Sequence, residues 1–197
     1  MKTYIVEHID PELGPWSTLE YIAIARESAA AGSKFCLSSV SESLEVPSEL
    51  RQAPGVEIDH RSIESVPSID KQRVCLLDPA ASQELDPADA EQFDMFLFGG
   101  ILDRTSELRK KGYNSRRLGP KQMTTDTAVR VTRMVIQDKI PLTQIPYVDD
   151  PDIKIDVHES TEMPFRYVAD ASGKPMMPEG MIELIKLDAD KGFEDLL

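Results

Sequence analysis

The stretches Arg73-Val74-Cys75-Leu76-Leu77-Asp78-Pro79 and Asp94-Met95-Phe96-Leu97-Phe98-Gly99-Gly100 decide the fold. Each runs four consecutive apolar residues into loop-forming residues. An uninterrupted apolar run of that length, bounded by turn chemistry, is a strand covered on both faces. Between the two, Asp86-Pro87 opens a short helix through Phe93, because proline's missing N–H costs nothing at a helix start. Two buried strands joined through a helix are the repeating unit of a parallel sheet.

Outward from this unit the pattern repeats. Residues 2–8 are short and β-branched and predict a first strand, and Asp10-Pro11-Glu12-Leu13-Gly14-Pro15 is turn chemistry. Trp16, Leu19, Ile22 or Ala23, Arg26 and Ala30 follow helical spacing, with Ser17 and Thr18 as candidate caps and Gly32 as the stop. A second strand is predicted over 34–38, a short helix near 48–53 and an edge strand over 56–58. On the other side, 106–111 predicts a helix and 114–118 a last short strand. Thr124-Thr125-Asp126 then caps a helix that carries Ala128, Val131, Met134 and Val135 on one face and ends at Pro141. Strands alternate with helices to about residue 140, the α/β pattern of a parallel sheet flanked by helices. Ligands of such sheets sit at the carboxyl ends of strands. The loops after Leu77, Phe98 and Leu118 are therefore the expected site.

From Asp149 the texture changes. Asp149, Asp150, Asp152, Asp156 and Glu159 crowd together with only Lys154 opposing them. Met163-Pro164-Phe165-Arg166-Tyr167-Val168 is a compact apolar segment, and Pro178-Glu179-Gly180 leads to a last helix through Leu187. The expected organisation is a domain over 1–148 and an acidic C-terminal extension over 149–197 packed on it.

Composition narrows the function. With 41% hydrophobic and 29% charged residues, the 197-residue chain can bury a sizeable core, so a fibre or a wholly disordered chain is not expected. Two cysteines give no disulfide framework and no zinc cluster. No apolar run approaches the roughly 18 residues of a membrane helix, and the run before Glu7 is too short for a signal peptide. A cytoplasmic protein without a membrane partner is the expectation. The net charge of −13 repels nucleic acid, whose affinity comes mainly from neutralised phosphates, and attracts basic partners. It also serves solubility alone.

Nucleotide-binding glycine loops, zinc-protease and nucleophile-elbow motifs are absent, and His8, His60 and His158 lack metal-ligand spacing. No metal is expected. Cys36 and Cys75 fall in predicted buried strands and read as core residues. Gly99-Gly100 either lets backbone approach a ligand or makes an ordinary turn. The segment 115–126 combines a glycine, a proline, amide and hydroxyl groups and a helix N-terminus, and can wrap a planar ligand. From Asp103 to Lys121 seven basic residues face two acidic ones, a basic island that is either solvated surface or an RNA or phosphate contact.

Several longer motifs occur together. Leu76-Leu77-Asp78-Pro79, Phe98-Gly99-Gly100-Ile101-Leu102, Asp103-Arg104-Thr105-Ser106-Glu107-Leu108, Arg116-Arg117-Leu118-Gly119 and Gln122-Met123-Thr124-Thr125-Asp126-Thr127-Ala128 follow in order. Glu162-Met163-Pro164-Phe165-Arg166-Tyr167-Val168 and Pro178-Glu179-Gly180-Met181 complete the set. Together they resemble the SPOUT-class protein arginine methyltransferase family that modifies a small-subunit ribosomal protein. The resemblance implies a SPOUT fold, in which the parallel sheet carries a C-terminal trefoil knot, a rarity that chain physics would not propose. It implies S-adenosylmethionine as cofactor and S-adenosylhomocysteine as product. Three loops would hold the cofactor: Leu76, Leu77, Asp78 and Pro79; then Phe98, Gly99, Gly100, Ile101 and Leu102; then Arg116, Leu118, Gly119, Gln122, Met123, Thr124 and Thr125. It also implies a monomer rather than the homodimer common in the class. The chain departs from the family by lacking a Gly-Asp-x-Pro-Pro-x stretch between Leu102 and Asp103, and by carrying Ala80 where a basic residue is frequent.

On this resemblance the reaction is methyl transfer to a guanidinium nitrogen. A guanidinium is protonated and a poor nucleophile, so the site must orient it and take a proton. Carboxylates serve both tasks. Asp103 and Glu162 are the expected catalytic carboxylates, with Asp126 read as a helix cap. The partner is a basic small-subunit ribosomal protein, docked on Asp149, Asp150, Asp152, Asp156 and Glu159 or on the acidic tail. The alternatives are an RNA methyltransferase of the same fold, using the basic island, and a non-catalytic ribosome-associated binding module.

Overall fold

A computed structural model describes the backbone of residues 1–100 and 102–194, and the side chains of all of these except 102–104 and 190–194. Six strands form one sheet: β1 (Thr3–Glu7), β2 (Lys34–Ser38), β3 (Val56–Ile58), β4 (Val74–Leu77), β5 (Met95–Gly99) and β6 (Asn114–Arg116). Their order is β3-β2-β1-β5-β4-β6 and every pairing is parallel. This is the expected α/β sheet, built on the two apolar runs: β4 and β5 lie side by side, with Leu76 opposite Leu97.

Successive side chains of a strand point to opposite faces, and the core divides accordingly. Tyr4, Val6, Phe35, Leu37, Cys75, Leu77, Phe96 and Phe98 belong to one cluster. With them pack Tyr21, Ile22, Ile24 and Ala25 of α1 (Pro15–Ala30) and Val129, Val131, Val135 and Ile136 of α5 (Thr125–Ile136). Ile5, Val74, Leu76 and Leu97 take the other face, together with Ile63 and with Leu108 of α4 (Leu102–Arg109). Fully burying a side chain such as Leu97 contributes roughly 1.5–3 kcal/mol. Two short helices, α2 (Ser48–Arg51) and α3 (Asp89–Gln92), complete the flanks.

Helix ends differ from the sequence reading. The first helix begins at Pro15 with Gly14 as its N-cap, not at Ser17 or Thr18. Pro15 is already set to the helical φ, and the Thr18 hydroxyl turns back to donate to the Gly14 carbonyl at 2.9 Å. α3 is confined to four residues, because Asp86 and Asp89 exchange side-chain and backbone hydrogen bonds around Pro87. α4 starts four residues before the expected Ser106. α5 stops at Ile136, well before Pro141, where Lys139 takes φ +60° and Ile140 N–H closes on the Met134 carbonyl.

Beyond α5 the chain forms β7 (Tyr147–Asp149), β8 (Asp152–Lys154), β9 (Ser160–Glu162), β10 (Arg166–Val168) and α6 (Met181–Glu194), the last running past the expected end at Leu187. β10 pairs antiparallel with β7, and β8 with β9. Ile153, Met163, Tyr167, Met181 and Ile185 make a third cluster, against which Trp16 and Leu19 of α1 pack. One main-chain contact ties this part to the loop between β6 and α5: Arg166 N–H donates to the Gln122 carbonyl at 2.7 Å.

Candidate active site

The carboxyl ends of β4, β5 and β6 lie level, with Leu77 opposite Arg116 and Leu76 opposite Leu97. The loops that leave them converge on a cavity of about 680 Å³, a size suited to a cofactor-scale ligand. The β4 loop supplies Leu77, Asp78 and Pro79, and the β5 loop Phe98, Gly99 and Gly100. The third loop supplies Leu118, Gly119, Gln122, Met123, Thr124 and Thr125, as expected, and also Arg117, Pro120 and Lys121. Gly119 sits at φ +99°, a backbone state that side-chain-bearing residues avoid, and it turns this loop around the cavity.

Other expected cofactor residues fall elsewhere. Leu76 is fully buried on the opposite face of the sheet, where the alternation of a strand must put it. Arg116 points its guanidinium at Asp89, with contacts of 2.8–3.1 Å, and lies over the Phe93 ring. It builds the wall behind the cavity rather than the lining. Ile101 lies outside the described residues, as do the side chains of Leu102 and Asp103. Asp78 lines the cavity, but both its carboxylate oxygens are taken by Arg109, at 2.5 and 2.7 Å, and one also accepts from Ala80 N–H. The Arg109 guanidinium holds this carboxyl below its ordinary pKa. Asp78 thus shapes its loop by locking it to α4.

The paired glycines have separate reasons. A Cβ on Gly99 would stand 2.6 Å from the Thr105 hydroxyl, so it is the approach of α4 that demands glycine there. Glu162, expected to be catalytic, is an exposed residue at the end of β9 opposite Asp152 and does not line the cavity. Asp126 is not the cap of α5, a position held by Thr124; it is a buried carboxyl of the first turn. It accepts from the Thr124 hydroxyl at 2.7 Å and lies 3.6 Å from Arg130, while its Oδ2 has no hydrogen bond among the described residues. Burial raises its pKa, against the pull of Arg130.

Sequence reasoning missed the wall made by α1 and the extension. Trp16, Ser17 and Glu20 line the cavity from the first turns of α1, Thr105 from α4 and Phe165 from the loop before β10. The spacing of Trp16 and Glu20, i and i+4, puts them on one helix face. Nothing local says that this face meets a cavity. Glu20 is raised to about 8, first by burial and then by the neighbouring Asp126, with the Thr125 hydroxyl and N–H pulling it back. Cys75 is a buried core residue as expected and Cys36 is half-buried; burial pushes both thiols up to about 12.

Five cations of the basic island answer carboxylates that lie outside it. Arg109 pairs with Asp78, Lys111 with Glu64, Arg116 with Asp89, Arg117 with Glu84 and Lys121 with Asp150.

Known proteins resemble this chain over nearly its whole length. A family model described as protein arginine N-methyltransferase SFM1-like matches residues 3–192. Protein arginine N-methyltransferase SFM1 of Saccharomyces cerevisiae is 43% identical over 215 residues, covering 98% of this chain and 99% of the relative. The crystal structure of the yeast arginine methyltransferase SFM1 complexed with SAM superposes with a TM-score of 0.86 at 42% identity, covering 95% of this chain and 91% of that one. A second crystal structure, complexed with SAH, gives a TM-score of 0.83 at 43% identity, covering 93% of this chain and 94% of that one.

Proposed function

The chain belongs to the family of SFM1-like protein arginine N-methyltransferases, and on that premise we propose that its substrate is an arginine of a basic small-subunit ribosomal protein, met in the cytoplasm by the monomeric enzyme. The general activity is S-adenosylmethionine-dependent methylation of protein arginine. S-adenosylmethionine supplies a methyl group on a sulfonium centre and leaves as S-adenosylhomocysteine.

The cavity fits such a cofactor. Leu77, Phe98, Leu118, Met123 and Ala128 offer apolar surface for an adenine and a methylene chain, and Gln122, Thr124 and Thr125 offer polar groups. The chain's own part in the reaction is to hold an arginine in line with the donor and to take a proton from it, since positioning supplies much of the rate. The trefoil knot belongs to the same reading. Arg117 donates its N–H to the Gln83 carbonyl and accepts from Leu85 N–H, and this pairing of the loop after β4 with the segment that feeds α5 supports it.

The observation that carries the substrate reading is the pairing of the basic island. Binding to RNA requires cations free to neutralise phosphates. Here Arg109, Lys111, Arg116, Arg117 and Lys121 already answer carboxylates, while the chain as a whole keeps a charge of −13 that draws a basic protein.

Labelled methyl transfer into purified small ribosomal subunits, separated into protein and RNA, tests it. Label on one protein band, acid-stable and mapped to an arginine, supports the proposal. Label in the RNA, or in neither fraction, overturns it.

A further inference from the structure

The wall that α1 contributes to the cavity faces the three loops, with Glu20 against Thr125. Trp16 and Glu20 stand one turn apart on it, facing the same space as Gly99, Gly100 and Thr125. Trp16 donates its indole N–H to Asp188 of α6 at 2.9 Å. That bond fixes the ring, which packs against the third cluster and also lines the cavity. Phe165 lines the cavity too, held by the extension through an edge contact with Tyr167 at 6.5 Å. An aromatic face beside a carboxyl is what a planar cation needs, since the ring attracts its charge and the carboxylate accepts its N–H groups.

We propose that Trp16 and Glu20 form the acceptor subsite, with the substrate guanidinium stacked on the indole and hydrogen-bonded to the Glu20 carboxylate, which is the proton acceptor of the reaction. This rests on the arginine methyltransferase activity. In the step, a guanidinium nitrogen forms a bond to the methyl carbon as the carbon–sulfur bond breaks. The sulfur keeps that electron pair and becomes a neutral thioether. The N–H proton passes to Glu20, so the product is a methylguanidinium that carries the positive charge given up by the sulfonium, and Glu20 later releases its proton to solvent. Groups facing Glu20 are Asp126 and the hydroxyl and N–H of Thr125 on α5, Tyr167 of β10 and Tyr21 on its own helix. Asp126 discourages ionisation of the empty site, and an arriving guanidinium favours it. Glu20 therefore becomes a base when the substrate is in place. Asp188 is a positioning residue, acting through the indole.

Trp16 is the single tryptophan of the chain, so its fluorescence reports on this subsite alone. The test titrates the full chain, with S-adenosylhomocysteine bound, with a glycine–arginine oligopeptide and with the same peptide carrying lysine at every arginine. The two peptides have equal charge, so attraction to the acidic surface is common to both. The arginine peptide is expected to change the emission at roughly tenfold lower concentration, and Glu20→Gln to weaken it by about tenfold. Glu20→Gln should leave S-adenosylhomocysteine affinity within about twofold and lower kcat by about 100-fold or more, with Glu20→Asp recovering part of it. Equal response to both peptides, or an unchanged kcat and pH profile in Glu20→Gln, overturns the proposal. Failure to label a ribosomal protein while Trp16 still distinguishes arginine from lysine would sink the ribosomal substrate and uphold the subsite.

Discussion

Arg109 of α4 closes a two-pronged ion pair on Asp78, Nε to Oδ2 at 2.5 Å and Nη2 to Oδ1 at 2.7 Å, and Asp78 lines the cavity. The Asp78 side chain is 1% exposed and that of Arg109 48%. Losing the arginine therefore strands a buried carboxylate with the Ala80 N–H as its remaining hydrogen bond among the described residues. Arg109→Ala is expected to cost about 1–3 kcal/mol of stability and to weaken S-adenosylmethionine binding by loosening the β4 loop. The low pKa of Asp78 stabilises the fold above the ordinary carboxylate range and ceases to do so as pH falls through it. Urea denaturation at pH 3 to 7 should show the variant losing less stability on acidification than the wild type.

Gly99→Ala is expected to push α4 away from the sheet, because the added methyl meets Thr105 Oγ1 at 2.6 Å and its backbone at 3.2–3.3 Å. Overpacking of this kind costs about 1–3 kcal/mol. Adding Thr105→Ala should restore part of the loss, since the closest atom is the hydroxyl. Thermal unfolding of the single and double variants reads the coupling.

Arg130 is 4% exposed and answers two carboxylates, Glu27 through a two-pronged pair and Asp126 at 3.6 Å. It also donates to the Met176 carbonyl at 3.1 Å, joining α1, α5 and the extension. Arg130→Ala is expected to destabilise by about 3–5 kcal/mol, as removal of one partner of a buried pair does. Asp126→Asn in the same chain should recover some of it by removing the stranded charge. Chemical denaturation of the three variants measures this.

The pH dependence of stability carries the signature of Glu20. A carboxyl whose pKa rises to about 8 on folding binds more protons folded than unfolded. Stability then falls as pH climbs from the ordinary carboxylate range through 8. Asp126 contributes in the same direction and His8, lowered by burial, in the opposite one. Glu20→Gln should remove a measurable part of the decline between pH 5 and 8 in paired urea titrations, because the other two groups are common to both chains.

The acidic surface should steer a basic substrate. The kcat/KM for a ribosomal protein substrate is expected to fall as salt is raised from 50 to about 300 mM, while S-adenosylmethionine affinity stays nearly constant. Steady-state kinetics across that range, with binding measured by calorimetry, separates the two.

Much of this protein is legible in its sequence because the deciding signals are local. Four apolar residues ending in Asp78-Pro79, and four ending in Gly99-Gly100, specify two covered strands by neighbouring residues alone. Their carboxyl ends then locate the cavity, since a parallel sheet opens its crevice there. The motifs carry the family for the same reason. What the tertiary structure decided depends on partners far along the chain. Arg117 lines the cavity and Arg116 does not, because adjacent residues of a strand end face opposite ways and Asp89 claims Arg116 from 27 residues away. Five cations of the basic island are answered by carboxylates 27–47 residues distant along the chain. Glu20 rather than Glu162 reaches the cavity because α1 is wedged between α5 and α6, which turns its Trp16–Glu20 face toward the loops. Helical spacing determines which residues share a face, and only packing determines what that face meets.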